Sequence, residues 1–232
     1  VGALDTGTRT SMAAHKTLVR ELLATLVNSR NTDDLAQSWS RIEAHFNTLF
    51  TTEDSIDVLK QTVLELAVQG KLVPQRPVES LGGDSGFPAG WNVRELRLLT
   101  GDFDSGWSPA CHDRPVEDTD TRPKLMLSDK LIRFRPKSDK IDGEYLAIVL
   151  RTGISRDYLV EAQSGMAKSQ VNISQAKLAK TPVPFPCIAQ QKIIVERVKE
   201  IAALLDELAK KRRSETLILR LVDSLVLHAG NA

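Results

Sequence analysis

Residues Leu59 to Gln75, Leu-Lys-Gln-Thr-Val-Leu-Glu-Leu-Ala-Val-Gln-Gly-Lys-Leu-Val-Pro-Gln, read as a helix brought to a stop. Ile56, Leu59, Val63 and Leu66 step by three and four, the spacing that aligns apolar side chains on one helical face. Gly70 stands where a left-handed C-cap favours glycine, and Pro74 keeps the helix from resuming. A junction of this kind passes the chain from a helical rod into a different kind of domain, and the rest of the sequence divides around it.

Upstream, Met12 to Val27 places Val19, Leu22, Leu23, Leu26 and Val27 on one face, and Asn28 to Asp34 reads as a turn. Leu35, Trp39, Ile42, Phe46 and Leu49 step by four and three, which predicts one helix through Leu49. Thr51 to Ser55 then supplies capping side chains and early negative charge for the next helix. The first 70 residues therefore read as three helices, whose stripes serve either as core packing or as a groove for a partner.

Downstream the texture changes. Gly82-Gly83, Gly86, Phe87-Pro88, Gly90-Trp91 and Gly106-Trp107-Ser108-Pro109 are turn signals around short apolar runs, which predicts an α/β or β-rich domain over 76–187. Residues 101–120 carry a net charge of −5 and residues 121–140 a net charge of +5, the latter from Arg122, Lys124, Lys130, Arg133, Arg135, Lys137 and Lys140 against two acids. Within Leu131-Ile132-Arg133-Phe134-Arg135 the types alternate, so a strand here projects Arg133 and Arg135 from one face and packs Ile132 and Phe134 on the other. Either the ribbon presents cations to a polyanion or it is a solvated face paired with the neighbouring acids.

Tyr145 to Val149 and Tyr158 to Ala162 read as helical pieces, and Gly165 to Ser174 as a polar loop carrying Lys168, Ser169, Gln170 and Asn172. Such side chains can donate to phosphates or base edges, and they are equally ordinary in loops. Pro182 to Pro186 is too proline-dense for a helix and reads as an extended strap. Beyond it, Ile194, Val198, Ile201, Leu205 and Leu208, then Leu219, Val222 and Val226, hold a four-three alternation, interrupted where Arg212 and Glu215 fall on the stripe. A helix of about 40 residues spans on the order of 60 Å, and a heptad stripe of that length calls for a partner helix. Leu59-Lys60 with Gly70 and Leu219-Arg220 with Gly230 share the same Leu-to-Gly interval, a weak echo of two equivalent helix ends.

The 232 residues, 41% of them apolar, suffice for a real core, and 31 basic against 30 acidic residues leave a net charge of +1 that announces no polyanion by itself. Cys111 and Cys187 form no CxxC, so neither a disulfide framework nor a four-ligand zinc site is supported and a reducing compartment is favoured. No apolar run approaches the ~20 residues of a membrane span and no charged-then-apolar leader opens the chain, so a cytoplasmic location is the default. The chain begins at Val1 rather than Met, as a processed, tagged or partial polypeptide does.

The motifs of catalysis are missing from the sequence. It holds no GxxxxGK[ST] loop, GxGxxG turn, GxSxG elbow or HExxH helix, and no acid with Lys two positions later of the kind that accompanies Mg²⁺ in many nucleases. His15, His45, His112 and His228 are scattered. Cys111-His112-Asp113 concentrates reactive types, but adjacent residues point apart. The expectation is binding without chemistry, with no catalytic residue, metal or cofactor.

Three pieces resemble one family. Leu59 to Gln75 resembles the helix end and "GKLVPQ" that precede a target-recognition domain in specificity subunits of Type I restriction-modification enzymes, and Phe87-Pro-Ala-Gly-Trp91 is similar to the "P.GW" that opens such a domain. Gly165 to Ser174, Pro182 to Pro186 and Ala189-Gln-Gln-Lys-Ile-Ile-Val195 resemble its closing segment before a long spacer helix. The resemblance implies an α+β chain: an N-terminal helical region over 1–75, one α/β target-recognition domain over 76–187 and a coiled-coil spacer helix over 188–232. It implies a non-catalytic DNA-reading subunit whose partners are double-stranded DNA, methyltransferase subunits and a restriction subunit, with no membrane. Arg122, Lys124, Lys130, Arg133, Arg135, Lys137, Lys168, Ser169, Gln170 and Asn172 are the candidates for DNA contact. Ile194, Val198, Ile201, Leu205, Leu208, Leu219, Val222 and Val226 are the seam of the spacer or of a dimer.

Two departures stand out. A full subunit has two recognition domains and this chain has motifs for one, so a second half-subunit or a homodimer would complete it. The stretch between Trp107 and Asp129 is also shorter than in the family, as if a segment were absent near Asp113 to Thr121. The alternative is a helical or coiled-coil interaction module without DNA affinity, its 121–140 charges paired internally; a nuclease or methyltransferase is disfavoured by the absent motifs.

Overall fold

The computed structural model describes residues 2–75, 87–105, 131–163 and 172–229, with side chains described for 13–215 of these and for Leu217. Helix α1 (Gly2–Val27) is followed by α2 (Thr32–Ala44), entered through Asn31, whose side chain accepts from the Asp34 amide at 2.8 Å. That bond satisfies one of the donors every helix start leaves open, and Asp33 and Asp34 sit favourably at the positive end of the dipole. The stripe from Leu35 to Leu49 does not form one helix: the chain breaks at His45 (φ −121°) and resumes as the short turn α3 (Phe46–Leu49). The break lets the chain turn back toward α1, with Phe50 fully buried and its ring 4.7 Å from that of Phe46, while Trp39 remains 42% exposed.

Helix α4 (Glu53–Val68) starts at a capping box in which Thr52 and Ser55 satisfy each other's backbone amides. Its end is a Schellman motif. Gly70 takes φ +72°, its amide bonds the Ala67 carbonyl at 3.1 Å, and the Lys71 amide bonds the Leu66 carbonyl at 2.8 Å. Lys71 also donates from Nζ to the Val27 carbonyl, so the residue that follows the Gly70 stop caps the C-terminus of α1. Val19, Leu23, Ile42, Phe50, Ile56 and Leu59 pack between these helices, each fully buried aliphatic or aromatic side chain contributing roughly 1.5–3 kcal/mol.

The second part begins with β1 (Asn92–Glu95), the short α5 (Leu96–Leu99), and the ribbon β2 (Asp104–Ser105) and β3 (Ile132–Arg133). It continues with α6 (Gly143–Val149), α7 (Gly153–Glu161), α8 (Gln175–Ala179) and β4 (Pro182–Phe185). The two expected helical pieces and the extended strap are present. The sheet content among the described residues is two antiparallel pairs, β1 with β4 (Asn92 opposite Phe185) and β2 with β3 (Asp104 opposite Arg133). The chain is thus mostly helical with small sheets, an α+β arrangement.

The proline spacing explains how β4 is used. Pro182 and Pro184 lack amide hydrogens, so Val183 and Phe185 keep the donors that face β1. The carbonyls of Pro182 and Pro184 accept instead from Ser155 Oγ and from Tyr145 Oη, the latter at 2.9 Å. Burial of Tyr145 raises its phenol pKa, so this donor stays protonated.

Helix α9 (Ile188–Ala229) closes the fold. It runs antiparallel to α4: Lys60 pairs with Asp206 at 2.7 Å, Arg213 with Glu53, and Gln190 lies by Pro74. Ile194, Val198 and Leu205 are buried and Ile201 and Leu208 half-buried, in cores shared with α4, α6 and β4. Over these residues the predicted stripe is a seam internal to this chain. Leu219, Val222 and Val226 lie on the helix, but their side chains are outside the described residues. The charged interruption pins the register: Arg212 donates from Nε to the Phe50 carbonyl at 3.1 Å and pairs with Glu215 at 3.1 Å, and Arg213 grips Glu53 with two nitrogens. None of the described helices is long and apolar enough to cross a membrane.

Candidate nucleic-acid interface

The β2–β3 ribbon is joined to α5 by a Thr100–Pro136 bridge, by the Gly101 amide on the Arg135 carbonyl (2.9 Å) and by the Lys137 amide on the Leu99 carbonyl (2.9 Å). Leu96 and Leu99 anchor it in the core. The alternation read from the sequence is realised: Ile132 and Phe134 are half-buried, the Phe134 ring 5.5 Å from that of Phe103, while Arg133 and Arg135 are exposed. A rigid backing thus presents Arg133, Arg135 and Lys137 on one ribbon.

Arg133 is engaged: its Nη2 donates to Asp104 Oδ2 at 3.0 Å, both side chains more than half exposed. This is the local pairing of basic and acidic segments that the charge pattern allowed. An exposed ion pair contributes about 0–1 kcal/mol and is readily exchanged for another anion. Among the described residues Arg135 has no ion-pair partner, and Lys137 Nζ reaches the Arg97 carbonyl at 3.3 Å. Asn172 is exposed at the start of the segment leading to α8, where Ser174 caps the helix by accepting from the Lys177 amide at 3.3 Å. Arg122, Lys124, Lys130, Lys168, Ser169 and Gln170, and the Cys111-His112-Asp113 run, lie outside the described residues.

Sequence reasoning passed over two cations that the fold brings near. Arg94 on β1 lies over the Phe185 ring, 5.4 Å from its centroid, and Arg97 on α5 pairs with Glu95. The short run around them, with Glu95 between, carries a net charge of only +1, too little to single them out. Among the described residues no group of three or more His, Cys, Asp or Glu side chains is placed to hold a metal ion.

The motif residues of the domain junction meet at one point. Trp91, 4% exposed, donates from Nε1 to Gln75 Oε1 at 2.8 Å, and Gln75 Nε2 donates to the Gly70 and Val73 carbonyls. Gln190, 2% exposed, donates to the Pro74 carbonyl at 3.1 Å. Gln191, fully buried, accepts from the Asp142 amide at 2.9 Å and donates to the Pro186 carbonyl at 2.8 Å. Both crossings of the chain between helical part and small domain are thereby tied to each other.

A small α+β domain sits on the helices at a hydrogen-bonded junction and carries a ribbon with the exposed cations Arg133, Arg135 and Lys137, an arrangement that can meet an anionic partner. Residues 118–217 match the family described as "Type I restriction modification DNA specificity domain". It is 32% identical to the "Type I restriction enzyme EcoEI specificity subunit" of Escherichia coli, across 98% of this chain and 54% of that protein. Over a shorter span of 74 residues it is 58% identical to the "Type I restriction enzyme EcoAI specificity subunit" of the same organism, 32% of this chain and 13% of that one. The chain therefore spans about half the length of the first of these relatives. No solved structure matches it.

Proposed function

We propose that this chain is the DNA sequence-recognition part of a Type I restriction-modification complex, reading one half of a split target, docking methyltransferase subunits and doing no chemistry itself. The observation that carries the reading is the cationic ribbon, Arg133 and Arg135 outward over half-buried Ile132 and Phe134, inside the span that matches a DNA specificity domain. Arg and Lys side chains set the register on phosphates, while Arg, Asn or Gln side chains read base edges in the groove. The domains divide at 75 and 187, and the complex works in the cytoplasm, with a restriction subunit as a further partner.

A second copy, or a second half-subunit, completes the split target. The outer face of α9 supports this. Ile193 and Leu204, 38% and 65% exposed, flank the Arg197–Glu200 ion pair at heptad spacing. About a two-fold axis between Val198 and Lys199, Ile193 faces the partner's Leu204 and Arg197 faces the partner's Glu200, a self-complementary seam. A segment absent from the recognition domain near Asp113 to Thr121 is part of the same reading. The match to the first relative is 321 residues long, whereas 98% of this 232-residue chain is about 227, so roughly 94 positions of the relative face no residue here.

The test is duplex binding as a function of salt, with the methyltransferase subunits present. Reversing both Arg133 and Arg135 to Glu should weaken binding and lower the salt slope by about 2, near 0.9 per lost phosphate contact. Binding that is absent, or independent of salt, overturns the reading. That outcome favours the interaction module without DNA affinity, for which the Arg133–Asp104 pair is the supporting observation.

A further inference from the structure

The length of a helical rod can fix the distance between two bound half-targets only if the recognition domain cannot swivel on it. At the junction, the rod side contributes Gly70, Pro74 and Gln75 and the start of α9, and the domain side contributes Pro88, Trp91 and the loop from Lys140 to Asp142. The two sides share a buried apolar core, in which Val68, Ile194 and Val198 meet Trp91, Tyr145 and Val149, and the directional contacts at the two chain crossings are made by side-chain amides.

Gln190 is the anomalous member. Its Nε2 donates to the Pro74 carbonyl, yet its Oε1 is buried with no hydrogen-bond partner. A buried acceptor without a donor is unfavourable, and a side chain of the same shape without the amide avoids that penalty. Pro74 is exposed, so its carbonyl finds water without Gln190. Stability alone therefore does not favour glutamine here; what the amide adds is direction, a bond that holds the two chain crossings in one register.

We propose that Gln190, with the Trp91–Gln75 bond beside it, is a positioning residue that fixes the angle of the recognition domain on the rod, and hence how strictly the spacing between half-targets is read. This rests on the proposed DNA-reading function for its consequence, but not for its geometry.

The experiment is a distance measurement on the full chain. With Cys111 and Cys187 replaced by Ser, spin labels at Glu196→Cys on α9 and Ser138→Cys in the recognition domain report the angle between the two parts. The parent should give one narrow distance distribution, and Gln190→Met a distribution about twice as wide with its Tm unchanged or raised. A distribution as narrow as the parent's overturns the proposal, whether Tm holds or falls. If Gln190→Met fails to fold, Trp91→Phe, which keeps an aromatic ring and loses only the Nε1 donor, must show the same broadening or the proposal falls. Salt-dependent binding of the unlabelled chain to mixed-sequence duplex, run beside it, reports on the DNA-reading function separately, so failure of one leaves the other readable.

Discussion

Replacing Gly70 with alanine tests the junction most directly. Gly70 sits at φ +72°, where a Cβ costs an L-residue roughly 1–2 kcal/mol. The added Cβ would also lie 2.5 Å from Pro88 Cγ and 3.1 Å from both Pro88 Cδ and Gln75 Nε2. The proline ring is not the free end of a flexible chain, so relief requires moving the domain's first turn, an overpacking cost of about 1–3 kcal/mol. Together these give a loss of about 2–5 kcal/mol, or a fall in Tm of about 4–20 °C for a chain of this size. At a position without strain the same substitution stabilises by about 0.4–1 kcal/mol through the unfolded state, so the sign of the change is decisive. Thermal or urea unfolding measures it. Adding Pro88→Ala should recover the overpacking part and leave the backbone part, giving a coupling of about 1–3 kcal/mol in a double-mutant cycle. A Gly70→Ala chain as stable as the parent would refute both the left-handed stop and the contact with Pro88.

Tyr145→Phe should cost about 1–3 kcal/mol by urea unfolding, because it strands the buried Pro184 carbonyl without a donor; a change below about 0.5 kcal/mol would mean that carbonyl is satisfied otherwise. Glu65 has its pKa raised above the ordinary 4.5, first by burial, with the Gln61 hydrogen bond opposing and Asp157 adding to the shift. Its protonated form therefore favours folding, a contribution fully present below about pH 4.5 and lost as pH rises through the higher folded-state value. Glu65→Gln should accordingly be more stable than the parent at pH 7 and match it near pH 4; a Gln variant that melts lower at pH 7 would contradict the sign.

Local rules carried the parts of the fold that are decided locally. The stop at Gly70 needed only the sequence step from periodic apolar residues to Gly and Pro, and the ribbon's faces followed from strict alternation at 131–135. Thr52 and Asn31 were placed in turns rich in capping residues. What stayed hidden depends on partners far along the chain. The heptad stripe on α9 announces that a helix will pack there but not which one, and the structure gives much of it to α4 of the same chain. Arg212 reads as a fault in the repeat because its acceptor, the Phe50 carbonyl, lies 162 residues away. The helix expected to reach Leu49 breaks at His45 because tertiary turning, not periodicity, decides that point. Of the DNA-contact candidates, only Arg133, Arg135, Lys137 and Asn172 fall among the described residues. The motifs that resemble the family proved to be the joinery of the junction: Trp91 donates to the Gln75 side chain, and Gln75, Gln190 and Gln191 hold the backbone carbonyls of Gly70, Pro74 and Pro186, a role that spacing alone does not reveal.

The alternating prolines of β4 also bear on solubility. A two-stranded sheet ordinarily leaves an open edge whose free amides and carbonyls can recruit a strand from another molecule. On the side of β4 away from β1 there are no amide hydrogens to offer at 182 and 184, and two carbonyls are already taken by Ser155 and Tyr145. The small domain thus carries an edge that resists extension into intermolecular β-structure.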